Sequence, residues 1–331
     1  MFELWNRVIV CGTHITIHKI RIHSKRLRCR ELRSAGNRSA GGTGRGRPLS
    51  ARRGLALAAL WGLLWGSFGN VCIYRVPLGL SVVRPASHCP LCQQPVAWFD
   101  NVPVLGFILL RGRCRRCQAA IGWRYPLFEL LAAILAMAVY ARFVLGQPAP
   151  LPLLLARFLT YFFFAGMLAV LSAIDLEHQL LPDRITYPAI PALFLAGRVL
   201  GEVSFVDAAV GAAAGYVLLR GISDGYYYLT GREGLGYGDA KLLSAVGALL
   251  GWRALPVTLL LGSLAGSLVS IPLLLFQRRR ATTEAASLAK TAVPFGPFLA
   301  VGALVYLGFI HGRDPDAVVQ GALRGLGVEI R

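Results

Sequence analysis

Two aspartates and four cysteines carry the chemistry for which this sequence can be read. Asp175 closes the long apolar run FFFAGMLAVLSAID, and Asp239 opens another within Gly-Tyr-Gly-Asp-Ala-Lys. An acid at membrane depth is costly, so each of these needs a reason to be there. Two carboxylates brought close cannot both ionise, and they come to share a proton. Such a dyad can activate water as general base while its protonated partner polarises a peptide carbonyl. That is aspartic-protease chemistry, with neither metal nor covalent intermediate. Gly236 and Gly238, just ahead of Asp239, allow close approach of a partner helix or an extended substrate. A bare GxGD is short, however, and each aspartate has a plainer reading. Asp239 could be an N-cap, and Asp175 an end-of-span acid that snorkels. Asp183, in Leu-Pro-Asp-Arg-Ile-Thr, rivals Asp175, but its place just before an apolar run suits a helix cap. Glu177, His178, Asp224 and Glu233 read as solvated loop residues.

Cys89-Pro-Leu-Cys92 and Cys114-Arg-Arg-Cys117 are two CxxC pairs separated by twenty-one residues. This is the spacing of a structural zinc site, in which each tight turn offers two thiolates and four close a tetrahedron. A closed site leaves no position for substrate. Two disulfides or free thiols are the alternative, disfavoured if the loop lies in a reducing compartment. His88 is not expected as a fifth ligand. Cys72, at the end of an apolar run, reads as packing, and Cys11 and Cys29 are given no role.

The elements that must position these groups are membrane spans. Of 331 residues, 55% are hydrophobic and only 15% charged, against roughly 25% charged in an average soluble domain. Seven cysteines in this length are too sparse for a secreted disulfide scaffold, and the hydrophobicity excludes disorder. From residue 54 onward the apolar runs approach the length needed to cross about 30 Å of hydrocarbon. We read them at 54–73, 126–145, 151–174, 185–200, 204–221, 239–252, 254–276 and 292–311. Continuous rather than alternating runs mean helices, not a barrel. The fold class is therefore an all-α polytopic membrane protein of about eight transmembrane helices, with a zinc-ribbon-like loop between the first two. With the 74–125 loop inside, that side collects fifteen Lys/Arg against seven on the other. The positive-inside rule then puts the cysteine loop and both aspartates on the cytoplasmic side.

The net charge of +19 is unevenly spread, with thirteen Lys/Arg and two acids in residues 1–53. Most of the basicity thus sits in a short leader, and nucleic acid is not an expected partner. Residues 36–50 have a Gly/Ser/Arg composition that should be disordered. Residues 19–33 could rest on an anionic membrane surface. A start assigned too far upstream is the third reading, and this orientation, which puts a basic leader outside, favours it. The resulting division is 1–53 leader, 54–73 first transmembrane helix, 74–125 tetracysteine loop, 126–311 transmembrane peptidase domain and 312–331 C-terminal tail.

Taken together these residues resemble the type IV prepilin peptidase family, bifunctional leader peptidases and N-methyltransferases of bacterial inner membranes. SFGNVCIYRVP from Ser67 is similar to the end of the family's first span. FDNVPVLGFILLRGRCRRC and WRYPLFELL follow in family order, then IDLEHQLLPDRIT, GLGYGDAKLLSAVGALLGW and VPFGPFLAVGAL. The resemblance covers about residues 55–311. It implies catalytic roles for Asp175 and Asp239, and a structural zinc on Cys89, Cys92, Cys114 and Cys117. It also implies a multi-pass protein of the bacterial inner membrane whose substrates are type IV prepilins or type II secretion pseudopilins. S-adenosylmethionine is the methyl donor the resemblance implies, although the sequence has no GxGxxG loop after a strand and points to no residues for it. The alternative is a GxGD-type membrane protease without methylation or with other membrane-protein substrates. A transporter would show internal repeats, and a serine protease a Ser–His pair within the apolar runs. Neither is present, and His311 stands near a terminus.

Overall fold

The computed structural model describes residues 48–231, 236–280 and 294–312. Among these residues the chain is helical, without a named strand: α1 Pro48–Arg75, α2 Leu105–Leu109, α3 Arg124–Phe143, α4 Leu151–His178, α5 Asp183–Leu200, α6 Phe205–Thr230, α7 Tyr237–Leu250, α8 Ala254–Arg280 and α9 Gly296–Val305. A short π-helical turn, Tyr306–Ile310, continues α9. Each apolar run read from the sequence overlaps one of α1 and α3–α9. The first helix begins at Pro48, inside the stretch read as leader; the rest of that leader, Glu233 and the tail beyond residue 312 lie outside the described residues.

Among the described residues, five segments are long and apolar enough to cross a membrane: Ala51–Arg75, Arg124–Phe143, Leu151–His178, Phe205–Thr230 and Ala254–Pro272. Of the other three, α7 is short and enclosed. In α7 every residue from Asp239 to Leu250 is buried, which is how a helix apolar all round behaves when protein rather than lipid surrounds it. It packs against α5, α6, α8 and α9, while α1, α3 and α4 pack on one another and α4 joins the two groups through α5 and α9. The core is continuous across this junction, with Phe162, Leu168 and Leu171 of α4 in one cluster with Leu243 and Val246 of α7 and Leu299 of α9.

Chain breaks between helices have local causes. Gln179 ends α4 in the left-handed region (φ 52°), and Pro182 then caps α5. Ser204 caps α6 by accepting the Asp207 N–H at 3.0 Å. Side chains at the helix ends show which ends meet. At one end Asn70 Nδ2 of α1 donates to Tyr125 O of α3 at 3.0 Å, Arg124 of α3 pairs with Glu177 of α4, and Arg220 of α6 lies over the Tyr237 ring of α7 at 3.9 Å. The cysteine loop and both candidate aspartates belong to this end.

The opposite end is tied by a different set. His311, which the sequence left as an unremarkable near-terminal residue, is buried. Its Nε2 lies 2.9 Å from Tyr161 Oη and 3.1 Å from Glu202 Oε2, and Glu202 in turn pairs with Arg157 at 2.7 Å. Arg142 Nη2 donates to the His311 carbonyl at 2.7 Å. A buried polar group needs such partners, and this network fastens α3, the α5–α6 loop and the end of the last helix to α4.

Candidate active site and metal centre

Asp175 lies in the last turn of α4 and Asp239 in the first turn of α7. Both are buried, 6% and 7% exposed, and the Asp239 carboxyl stands within electrostatic range of Asp175. Three neighbouring segments set their positions. Asp175 Oδ2 accepts the backbone N–H of Gly296, the first residue of α9, at 3.0 Å. A Cβ at Gly296 would sit 2.8 Å from that same oxygen, so a side chain there would push the carboxylate from this position. Leu181, from the loop after α4, presses on Gly238, where a Cβ would come within 2.6 Å of the leucine Cβ. The glycine ahead of Asp239 thus lets the α4–α5 loop close over the start of α7. Gly236, not Asp239, is the N-cap of α7. The carboxyl of Asp239 therefore has no capping duty, and it lies in the positive field of a helix N-terminus.

Asp183 is not a cap. Pro182 holds that position without a side-chain cap bond, and Asp183 pairs with Lys241, two residues beyond Asp239. Lys241 also lies 4.5 Å from the Tyr187 ring centre. With its own carboxylate and an aromatic face, this buried lysine is matched without drawing on the dyad. Glu177, read as solvated, pairs with Arg124, and His178 Nε2 lies 4.0 Å from Glu177. Asp224 pairs with Arg220 at 2.9 Å on the exposed side of α6.

The cysteine loop builds two matching turns. Gln93 N–H donates to Cys89 O and Gln118 N–H to Cys114 O, and both glutamines take positive φ, 57° and 58°. His88 bridges to Pro95, and Arg113 to Ala120, in the same relation to their knuckles. All four Sγ atoms lie within 4.8 Å of one another, with Cys89 and Cys117 3.7 Å apart. A tetrahedron with zinc–sulfur bonds of about 2.3 Å has edges of about 3.8 Å, so the donor set fits. The cysteines are free thiols, not disulfides. Backbone N–H groups of Cys92 and Leu91 aimed at Cys89 hold its thiol down at about 6. Cys117 receives such a bond at Ala119, but loss of water and its crowded sulfur neighbours push it up to about 11. A shared ion would resolve this crowding by taking all four as thiolates. His88 Nδ1 lies 3.1 Å from Ala86 O and is no part of the sulfur cluster. Cys72 packs beside Ile73, Phe128 and Ile174, as read from the sequence.

Two features escaped the sequence reading. Gly296 sat unassigned within VPFGPF. Glu129, in WRYPLFELL, is a third buried acid; its Oε2 accepts the Val104 N–H at 2.7 Å, and Val104 is held at φ 59°.

Membrane-length helices around a buried central one define a polytopic membrane protein. Residues 60–143 match the profile described as the bacterial Peptidase A24 N-terminal domain, and residues 162–271 match that of the type IV leader peptidase family. A "prepilin leader peptidase/N-methyltransferase" of Aeromonas hydrophila is 39% identical over 276 residues, 76% of this chain and 89% of the relative. One of the same description from Klebsiella pneumoniae is 45% identical over 210 residues, 62% and 88% of the two chains. Another, from Pseudomonas putida, is 39% identical over 269 residues, 75% and 88%. The chain belongs to the type IV leader peptidase family. No solved structure matches it.

Proposed function

We propose that this chain is a membrane aspartic endopeptidase that removes the short basic leader of type IV prepilins or type II secretion pseudopilins and then N-methylates the new N-terminal residue. The observation that carries the reading is the pairing of two buried carboxylates, Asp175 and Asp239, at one end of the bundle, in a chain whose relatives bear both activities in their names. The scissile bond of a prepilin lies where a basic leader gives way to an apolar stem, at the membrane surface. A dyad at helix ends meets it at that depth. The pair shares one proton: the ionised member takes a proton from water as the water attacks, and the protonated member donates to the carbonyl oxygen. The titration then belongs to the pair. The Gly296 N–H orients one of the two carboxylates without consuming the proton the chemistry needs.

In this reading α5, α7 and α9 complete eight membrane crossings, and the dyad and cysteine loop face the cytoplasm of a bacterial inner membrane. Cys89, Cys92, Cys114 and Cys117 hold a structural zinc that ties the two turns of the loop together. S-adenosylmethionine supplies the methyl group when bound. Coexpression with a prepilin followed by intact-mass measurement tests the whole: leader loss with a gain of about 14 Da, one methyl in place of one hydrogen, supports both activities. A prepilin left uncut contradicts the peptidase, and a cut but unmethylated one contradicts the transferase.

A further inference from the structure

Methylation needs a site for its donor in addition to the dyad. A cavity of about 330 Å³ lies between one face of α1 and the segments that follow it. That volume is in the range of small-molecule sites, roughly 300–1,000 Å³. Ser67, Phe68, Val71 and Arg75 line it from α1, Val82, Val83 and Pro85–Ser87 form a second wall, and Asn101 and Pro103 form a third. The α1 positions fall at helical spacing, so one stripe faces the cavity. Ile73, on another face of α1, packs in one cluster with Ile174, the neighbour of Asp175. The cavity and the dyad are thus on two sides of the same helix end.

The walls are fixed from behind by Glu129. This buried carboxylate accepts the Val104 N–H at 2.7 Å and lies near the Ser67 hydroxyl, so it holds the turn that carries Asn101 and Pro103 against α1. A β-branched residue at φ 59° is strained, and strain of this kind persists where surrounding contacts over-determine it. Arg75 is buried and spends two N–H groups on Ser81 O at 3.1 Å and Ala86 O at 3.5 Å, which leaves three of its five donors. It is the single charged residue among those lining the cavity.

We propose that this cavity binds the methyl donor, S-adenosylmethionine, an inference that rests on reading the chain as a methyltransferase. The ligand has a flat adenine, a sulfonium and an α-carboxylate. Val82, Val83, Pro85 and Pro103 offer apolar surface to the ring. Phe68 offers an aromatic face to the cationic sulfur, and Arg75 and the Asn101 amide offer donors to the carboxylate. Methyl transfer there is balanced: the free amine lone pair forms the new N–C bond as the S–CH₃ bond breaks. S-adenosylhomocysteine leaves with the sulfur electron pair, and the amine proton passes to water.

The test is equilibrium binding of tritiated S-adenosylmethionine to the full chain in detergent, alongside prepilin processing. Val71→Trp, which fills the cavity from α1, and Asn101→Ala should each weaken binding roughly tenfold or more, with the leader still removed and the product unmethylated. If both variants bind and methylate like wild type, the donor sits elsewhere and the proposal falls. Should Val71→Trp also lose cleavage, its fold is damaged, and exposed Asn101 decides by the same criterion. Wild-type protein that neither binds the donor nor methylates would instead remove the methyltransferase reading itself, and the proposal with it.

Discussion

The backbone N–H of Gly296 reaches Oδ2 of Asp175 at 3.0 Å across 121 positions of sequence. The start of the last helix thereby sets the orientation of a carboxylate on α4, and any side chain at 296 would collide with it at 2.8 Å. A candidate site assembled from α4, α7 and α9 gains its geometry from contacts that no single motif contains.

Gly296→Ala is therefore expected to reduce prepilin cleavage roughly tenfold or more, through misplacement of a reacting group. The thermal midpoint should change little, because the methyl can be accommodated by moving a carboxylate rather than backbone. Turnover of purified enzyme on a prepilin, with a melting curve beside it, checks this. Full turnover in the variant would mean that the Asp175 orientation does not matter.

Asp183 and Asp175 are separable by the same assay. Asp183 is spent on Lys241 at a partly exposed pair, where loss is modest. Asp183→Ala should keep cleavage within about tenfold of wild type, whereas Asp175→Ala should lose on the order of 10²–10⁴-fold. The reverse ranking would make Asp183 the dyad member.

The zinc reading predicts about one zinc per chain by elemental analysis. Cys114→Ser should lower that content and loosen the loop toward protease, since the ion joins Cys89–Cys92 to Cys114–Cys117. Undiminished zinc in the variant would assign the metal to other residues.

The network at the far end carries a pH signature. Burial would raise Glu202, but hydrogen bonds from His311 and Tyr161 and the charges of His311 and Arg157 hold it below the usual carboxylate range. A depressed folded-state value stabilises above the unfolded value, about 4.3, and that stability is lost as pH falls below it. Glu202→Gln should thus melt several degrees below wild type near pH 7, and the gap should close on acidification toward about pH 3. A gap independent of pH would show that the glutamate acts by shape alone.

The sequence announced these features unevenly. Asp175 and Asp239 were visible because acids interrupting apolar runs are rare, and the four cysteines because CxxC spacing mirrors the geometry of a single turn. Helix positions followed from continuous apolar length. What stayed hidden depends on long-range contact. Asp183 looked like a cap because it precedes a helix, yet Pro182 takes that place and Lys241 takes the carboxylate. His311 looked terminal, but the last helix carries it back to Tyr161. The short α7 read as an ordinary span, and only its packing shows a helix enclosed by protein.

The most direct test of the account replaces one charge with its isostere. Asp239→Asn, purified in detergent and incubated with a prepilin, should leave the leader attached under conditions in which wild type removes it completely. The variant should retain the wild-type melting midpoint and zinc content. Cleavage by folded Asp239→Asn at a rate near wild type would contradict the two-carboxylate mechanism.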